Sequence, residues 1–184
     1  MSFWQRVQTH VHREWNLWYD NISYYRNLGT HIGERCIIHR SANFGSEPYL
    51  ISLGNHVRVN KGVEFITHDG GMWVFRETVA GGEGITRFGR IYVGNNVHIG
   101  TNAIIMPGVR IGNNCVIGCG AIVTHDVADN SIAAGVPAKI IESVDEYYEK
   151  NCPRFEHTKR MNATELKEFL LTKYPFNDFD SRRE

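Results

Sequence analysis

Two interleaved sets of apolar residues recur between Val93 and Val127, each at a fixed six-residue interval. Val93, Ile99, Ile105, Ile111, Ile117 and Val123 form the first set. Val97, Ala103, Val109, Cys115, Ala121 and Val127 follow four places behind. Gly94, Gly100, Gly112 and Gly118 come directly after four members of the first set. A strand alternates every two residues and a helix repeats about every 3.6, so neither makes this beat alone. A sustained six-residue period predicts a parallel β-helix in which each hexapeptide supplies a short strand and a bend. The glycines let the backbone turn where a side chain would clash.

The beat extends upstream through Ile32, Ile38 and Phe44, slips by three residues across SEPYLIS, and resumes at Leu53, Val59 and Phe65. A slip of this kind predicts a bulge or irregular bend at a corner of the coil. After Phe65 the pattern stops. Residues 68–90 carry six glycines and no hexads, which predicts a long inserted loop, 69–90, of the kind that often serves as a binding or lid element. The repeat returns at Val93 and fades through DNSIAAGVPAKII, where Pro137 is expected to end the regular backbone.

The flanks follow a different period. Trp4, Val7, Val11, Trp15, Trp18, Ile22 and Tyr25 recur at three- and four-residue steps, predicting an amphipathic helix over 3–28 with Gly29 as its stop. Acidic Glu14 and Asp20 interrupt its basic face, so packing on the coil or a neighbouring subunit is preferred over a membrane-surface role. Ser143 with Glu146 predicts a capped helix, and Asn162 with Glu165 a second one ending before Pro175. The last residues, DFDSRRE, read as frayed. The expected class is all-β with flanking helices. An N-terminal helical segment spans 1–30, a β-helix 31–142 with its insertion, and a C-terminal helical extension 143–184.

Composition narrows the function. Of 184 residues, 42% are apolar and 22% charged, with zero formal net charge, so no global field points to nucleic acid or an anionic membrane. No apolar run is long enough to span a bilayer, and the first residues lack the apolar segment of a signal peptide. Cys36, Cys115, Cys119 and Cys152 form no CxxC pair and read as reduced thiols of a cytoplasmic protein.

The hexads together with VTHDVADNSIAAGVPAKII and the Thr67–His68 pair before the insertion resemble the left-handed β-helix (hexapeptide-repeat) acyltransferases. Within that family they are most similar to the maltose, galactoside and nodulation-factor O-acetyltransferases, the streptogramin acetyltransferases, and the capsule or lipopolysaccharide O-acetyltransferases. The resemblance covers residues 32–141 and alone supplies the left hand of the coil, since parallel crossovers are nearly always right-handed. It implies a homotrimer with an active site in each cleft between subunits, acetyl-CoA as donor, no required metal, and a hydroxyl acceptor on a sugar or polysaccharide precursor.

Acyl transfer to an alcohol needs a base whose pKa lies near operating pH, which suits histidine. Of nine histidines, His68 matches the family's catalytic position. Asp69, Trp73, Asn43 and Asn60 are candidate acceptor-binding residues, with Phe75 and Arg76 as further wall. By position in the family, Thr101 and Cys119 would touch the pantetheine arm. Gly120 and Ala121 would keep that groove shallow. Thr124 and His125 would lie near the nucleotide, and Lys139 would meet a phosphate. The chain departs from the pattern at His125, where lysine is usual, at Glu142, where a basic residue is common, and at His98, where an aromatic is common. N-acetylation of an amino sugar and a non-catalytic scaffold are the alternatives. A γ-type carbonic anhydrase on the same coil would need converging histidines, two of them five residues apart, and no pair here has that spacing.

Overall fold

The computed structural model describes residues 20–175. The N-terminal positions from Trp4 to Trp18 and the DFDSRRE end lie outside the described residues. The chain divides into two compact units at Tyr148 and Glu149, and each is taken by itself.

In the first unit, α1 (Asn21–Asn27) leads into β1 (His31–Ile32) and β2 (Ile37–Ile38). A 3-10 turn at Pro48–Leu50 precedes β3 (Ile51–Leu53), β4 (Val57–Val59) and β5 (Glu64–Phe65). The insertion holds α2 (Met72–Thr78). Two regular coils follow, β6 (Ile91–Val93), β7 (Val97–Ile99) and β8 (Ile104–Ile105), then β9 (Arg110–Ile111), β10 (Cys115–Ile117) and β11 (Ile122–Val123). β12 (Ser131–Ala134) and β13 (Lys139–Ser143) close the stack.

The strands sort into three faces, β1-β3-β6-β9, β2-β4-β7-β10-β12-β13 and β5-β8-β11. Every neighbouring pair is parallel except β12 with β13. This is the left-handed parallel β-helix, its coil expected from the hexads and its hand from the family resemblance. Val93 pairs with Ile111, Ile99 with Ile117 and Ile105 with Val123, a step of eighteen residues, or three hexads per coil.

The first set of apolar residues points inward. Ile99, Ile105, Ile117 and Phe65 are 0% exposed. Burying each such side chain contributes about 1.5–3 kcal/mol, so the period reflects which positions water cannot reach. α1 closes the lower end. Its Tyr25 stacks on Phe44 with ring centroids 4.0 Å apart, and Phe44 packs on Phe65 at 4.8 Å. The Tyr25 hydroxyl donates to the Ala42 carbonyl at 3.0 Å. Asp20 caps the helix by accepting from the Ser23 N–H.

Corners are held by polar ladders. Asn113 Oδ1 accepts from the Asn95 backbone N–H at 2.9 Å, and Asp129 Oδ1 accepts from that of Asn113 at 2.9 Å. Beside this ladder runs a column of left-handed residues, Arg35, His56, Asn96, Asn114 and Asn130, with φ between 52° and 58°. Coils approach so closely at the glycines that a Cβ on Gly94 would lie 2.7 Å from the Gly112 carbonyl oxygen.

One feature makes an expectation specific and two differ from it. The three-residue slip forms the 3-10 turn at Pro48–Leu50, because proline has no N–H to give a strand and sets the φ of a tight turn. Regular backbone resumes after Pro137. The chain reverses through Gly135, φ 97°, and β13 pairs antiparallel with β12, whose edge would otherwise end the sheet bare. The insertion contains the seven-residue helix α2, which buries none of its residues and therefore shows no helical stripe.

Helix α3 (Val144–Asn151) spans the boundary between the units. The Glu146 carboxylate accepts from the Ser143 N–H at 2.7 Å, the reciprocal bond of a capping box. In the second unit, α4 (Ala163–Lys173) has the complete box at Asn162 and Glu165. Lys173 Nζ lies 2.6 Å from Glu156 Oε1 there. Among the described residues no helix is long and apolar enough to cross a membrane.

Candidate active site

The two ends of the insertion meet at His68. Thr67 accepts from the Gly89 N–H at 2.9 Å, His68 bridges Phe88, and Asp69 donates to the Arg87 carbonyl at 2.9 Å. This antiparallel neck places the His68 ring where the coil breaks, 43% exposed, with the Phe88 ring edge-on at 6.1 Å between centroids.

A residue missed by the sequence reading completes the arrangement. Glu47 stands at the N-cap of the 3-10 turn, one coil below His68. Its Oε2 accepts from the Thr67 hydroxyl at 2.6 Å and lies 3.0 Å from His68 Nδ1. The Glu47 side chain is 15% exposed. The Thr67 hydrogen bond holds its carboxyl below the usual carboxylate range, helped by His68 and opposed by burial. An ionised carboxylate only accepts, so Nδ1 carries a proton, and in the neutral ring the lone pair is therefore on Nε2. The tautomer of the neutral ring and its orientation are thereby defined together. The signal was present in the sequence. The slip changes the coil step to twenty-one residues, so Ile32 pairs with Leu53 and Asn43 bridges Glu64. Glu47 and His68 have that same separation.

The acceptor candidates are placed unevenly. The Asp69 carboxylate accepts from the Gly71 N–H at 2.8 Å and pairs with Arg87 Nη1 at 3.5 Å, bracing the loop. Arg76 also works inside the loop, donating to the Ile85 carbonyl at 3.1 Å and the Thr86 hydroxyl at 3.2 Å. Trp73 is 71% exposed, and Phe75 and Phe88 are open as well. Asn43 donates to Glu64 Oε2 at 2.7 Å on the β5-β8-β11 face. Asn60 lies at the opposite edge of that face, with its amide on the Ile99 carbonyl and His98 Nε2.

The donor-site candidates divide between two corners. Thr101, Cys119, Gly120 and Lys139 share the corner that leads into the β5-β8-β11 face. There the Gly120 N–H donates to the Thr101 carbonyl at 2.8 Å, and Lys139 pairs with Ala134. Ala121 is 0% exposed and turns into the core. Thr124 and His125, joined at 2.9 Å, follow β11 as His68 follows β5. Thr101 is in register with Lys61, seven residues before His68. Seven residues at no more than about 3.3 Å each put His68 and the Thr101 corner at most roughly 23 Å apart, at opposite edges of one face of a single chain. Among the described residues, no three His, Cys, Asp or Glu side chains group as metal ligands.

Comparison with known proteins agrees with the geometry. Residues 90–125 match the family model for the bacterial transferase hexapeptide (six repeats). A Staphylococcus aureus protein, CapG, is 48% identical over 158 residues, which are 84% of this chain and 90% of that protein. The galactoside O-acetyltransferase of Escherichia coli (strain K12) is 43% identical over 65 residues, 33% of this chain and 32% of that enzyme. The crystal structure of a maltose O-acetyltransferase from Clostridium difficile 630 superposes with a TM-score of 0.53 at 30% identity, covering 62% of this chain and 59% of that one. Repeat, coil and relatives agree: this chain belongs to the hexapeptide-repeat acetyltransferases.

Proposed function

We propose that the protein transfers the acetyl group of acetyl-CoA to a hydroxyl of a sugar or cell-surface polysaccharide precursor, in a single ternary complex, with His68 as general base. The observation that carries this reading is the Glu47–His68 pair, which leaves Nε2 free at the exposed break of the coil. Nε2 takes the acceptor hydroxyl proton as the oxygen attacks the thioester carbonyl. The carbon–sulfur bond then breaks, and the imidazolium returns the proton to the departing thiolate, giving an O-acetyl ester and CoA. Base catalysis of this type is worth about 10²–10⁴-fold. Holding both substrates in one cleft adds the orientational part.

The separation of His68 from the Thr101 corner supports a site shared between copies, with the base of one chain facing the pantetheine groove of the next, in a homotrimer. Thr101, Cys119 and Gly120 would line the pantetheine arm. Thr124 and His125 would lie near the nucleotide, and Lys139 would meet a phosphate. Trp73 and Phe88 would offer ring faces to the sugar. A donor drawn from the acetyl-CoA pool supports a cytoplasmic reaction.

The test is CoA release against a panel of neutral, amino and acidic sugars. Wild type is expected to turn over with a hydroxyl acceptor, and His68→Ala to lose at least about 10²-fold in turnover while still binding CoA. Normal turnover in the variant would remove His68 from the reaction. Turnover restricted to amino sugars would move the activity to N-acetylation.

A further inference from the structure

The outer face of β2-β4-β7-β10 carries a groove that the acetyl-transfer reading leaves unused. Its volume is about 340 Å³, within the roughly 300–1,000 Å³ typical of small-molecule sites. The floor is a row of in-register side chains from successive coils, Ile37, Arg58, His98 and Val116. One lip is the left-handed corner column, Arg35, His56, Asn96 and Asn114. No aspartate or glutamate lines it. On a chain of zero net charge, this gathers two guanidiniums and two imidazoles in one place. Neither Arg35 nor Arg58 has a carboxylate within ion-pair distance among the described residues. Strand spacing of about 4.8 Å and a rise of about 3.3 Å per residue put the backbones of Arg35, His56 and Arg58 within about 8 Å of one another.

The corner column gives an independent reason to read this as a site. Asparagine tolerates the left-handed region better than other side chains. The upper three positions are Asn96, Asn114 and Asn130, tied in a ladder by amide hydrogen bonds of 3.0 and 2.9 Å. Below them His56, at φ 56°, continues the ladder through Nδ1 on Asn96 Oδ1 at 2.8 Å, and Arg35, at φ 57°, holds the lowest position. Backbone strain kept at Arg35, where the coils above use better-suited residues, points to a local role.

The His98 ring proton is also assigned. Asn60 Nδ2 donates to the Ile99 carbonyl at 2.9 Å, which fixes the amide, and to His98 Nε2 at 3.1 Å. His98 Nε2 therefore accepts, and Nδ1–H remains as a donor. Burial first, and the Arg58 charge second, hold this imidazole below its ordinary value and so neutral.

We propose that the groove binds a small organic anion of the sugar-acid or phosphosugar class. Its carboxylate or phosphate lies between Arg35 and Arg58, and its C–H face lies over Ile37 and Val116. The anion site stands on the groove alone; the choice of a sugar rests on the glycan reading above.

Calorimetric titration of the assembled protein with D-glucuronate, D-glucose 6-phosphate and neutral D-glucose, at matched ionic strength, tests this. Wild type is expected to bind at least one anion saturably and glucose not at all. Affinity is expected to fall at least tenfold in Arg35→Gln/Arg58→Gln. Preference for glucuronate assigns a carboxylate ligand, and preference for glucose 6-phosphate a phosphate ligand. Equal anion affinity in wild type and the double variant overturns the proposal, as does equal affinity for glucose. Displacement of the anion by saturating CoA also overturns it, because the groove would then belong to the donor. If light scattering shows that the double variant does not assemble, Arg35→Asn, which restores the ladder residue, serves in its place with the same expected loss. His68→Ala is expected to keep anion binding, so a failure here and a failure of the acetyl-transfer reading give different results.

Discussion

Glu47 Oε2 lies 3.0 Å from His68 Nδ1, one coil below it and twenty-one residues earlier. The same oxygen accepts from the buried Thr67 at 2.6 Å. The carboxylate is therefore held by one neighbour while it orients the other. Glu47 touches no reacting atom in the proposed reaction and is a positioning residue. Glu47→Gln keeps the shape but offers an amide whose NH2 end can face Nδ1 and favour the other tautomer. Turnover is expected to fall about 10–100-fold, as for other partners that orient a functional imidazole. The Michaelis constant for acetyl-CoA should hardly change. Steady-state kinetics decide it: a loss confined to that constant would make Glu47 a donor-binding residue instead.

The same carboxylate predicts how stability depends on pH. Its folded pKa is depressed from the ordinary glutamate value of 4.5, by the Thr67 bond first and His68 next. A depressed carboxyl contributes stability that is fully present above the unfolded value and is lost as pH falls through the folded one. The melting-temperature gap between wild type and Glu47→Gln should be widest and flat above about pH 5.5 and should narrow progressively below about pH 4.5. Thermal melts across that range check it. A gap that widens on acidification would mean that Glu47 is held protonated.

The separation of His68 from Thr101 predicts complementation between inactive chains. His68→Ala lacks the base, and Thr101→Trp blocks the opposite corner. In a closed ring whose sites each draw the base from one copy and the groove from the next, random one-to-one mixing restores one intact combination in four. Co-refolded mixtures should recover about a quarter of wild-type activity where each variant alone is nearly silent. Recovery no greater than the sum of the separate variants would place base and groove on the same chain.

The coil was legible because its cause is local and repeated. Val93, Ile99 and Ile105 are apolar for one reason, that each faces the same interior. His68 was legible because it stands where that reason ceases. Glu47 was not. The slip that carries it was visible and lengthens the eighteen-residue coil to twenty-one, but which side chain of that stretch turns toward His68 follows only from the 3-10 turn at Pro48–Leu50. α2 was hidden because Trp73, Val74 and Phe75 are all exposed and leave no stripe to detect. β13 was hidden because Lys139–Ser143 becomes a strand by covering the edge of β12, a property of where the coil ends rather than of KIIES itself. Ala121 shows the same limit. Family position alone assigns it to a groove, but the second apolar set carries it into the core.

Arg35 offers a test in which stability and binding move in opposite directions. Its φ of 57° is unfavourable for an arginine, whereas the equivalent turns above it use Asn96, Asn114 and Asn130. Asparagine in that conformation avoids much of a penalty of about 1–2 kcal/mol per residue. It could also extend the side-chain ladder toward His56, whose Nδ1 already lies 2.8 Å from Asn96 Oδ1. Arg35→Asn is therefore expected to raise stability by about 0.5–1 kcal/mol, read as an upward shift of the denaturation midpoint with unchanged slope. The same variant should bind small organic anions more weakly. A residue that merely filled a turn would show the gain in stability without that loss. A variant that is destabilised and still binds anions normally would mean that the Arg35 side chain supports the corner through contacts other than the groove.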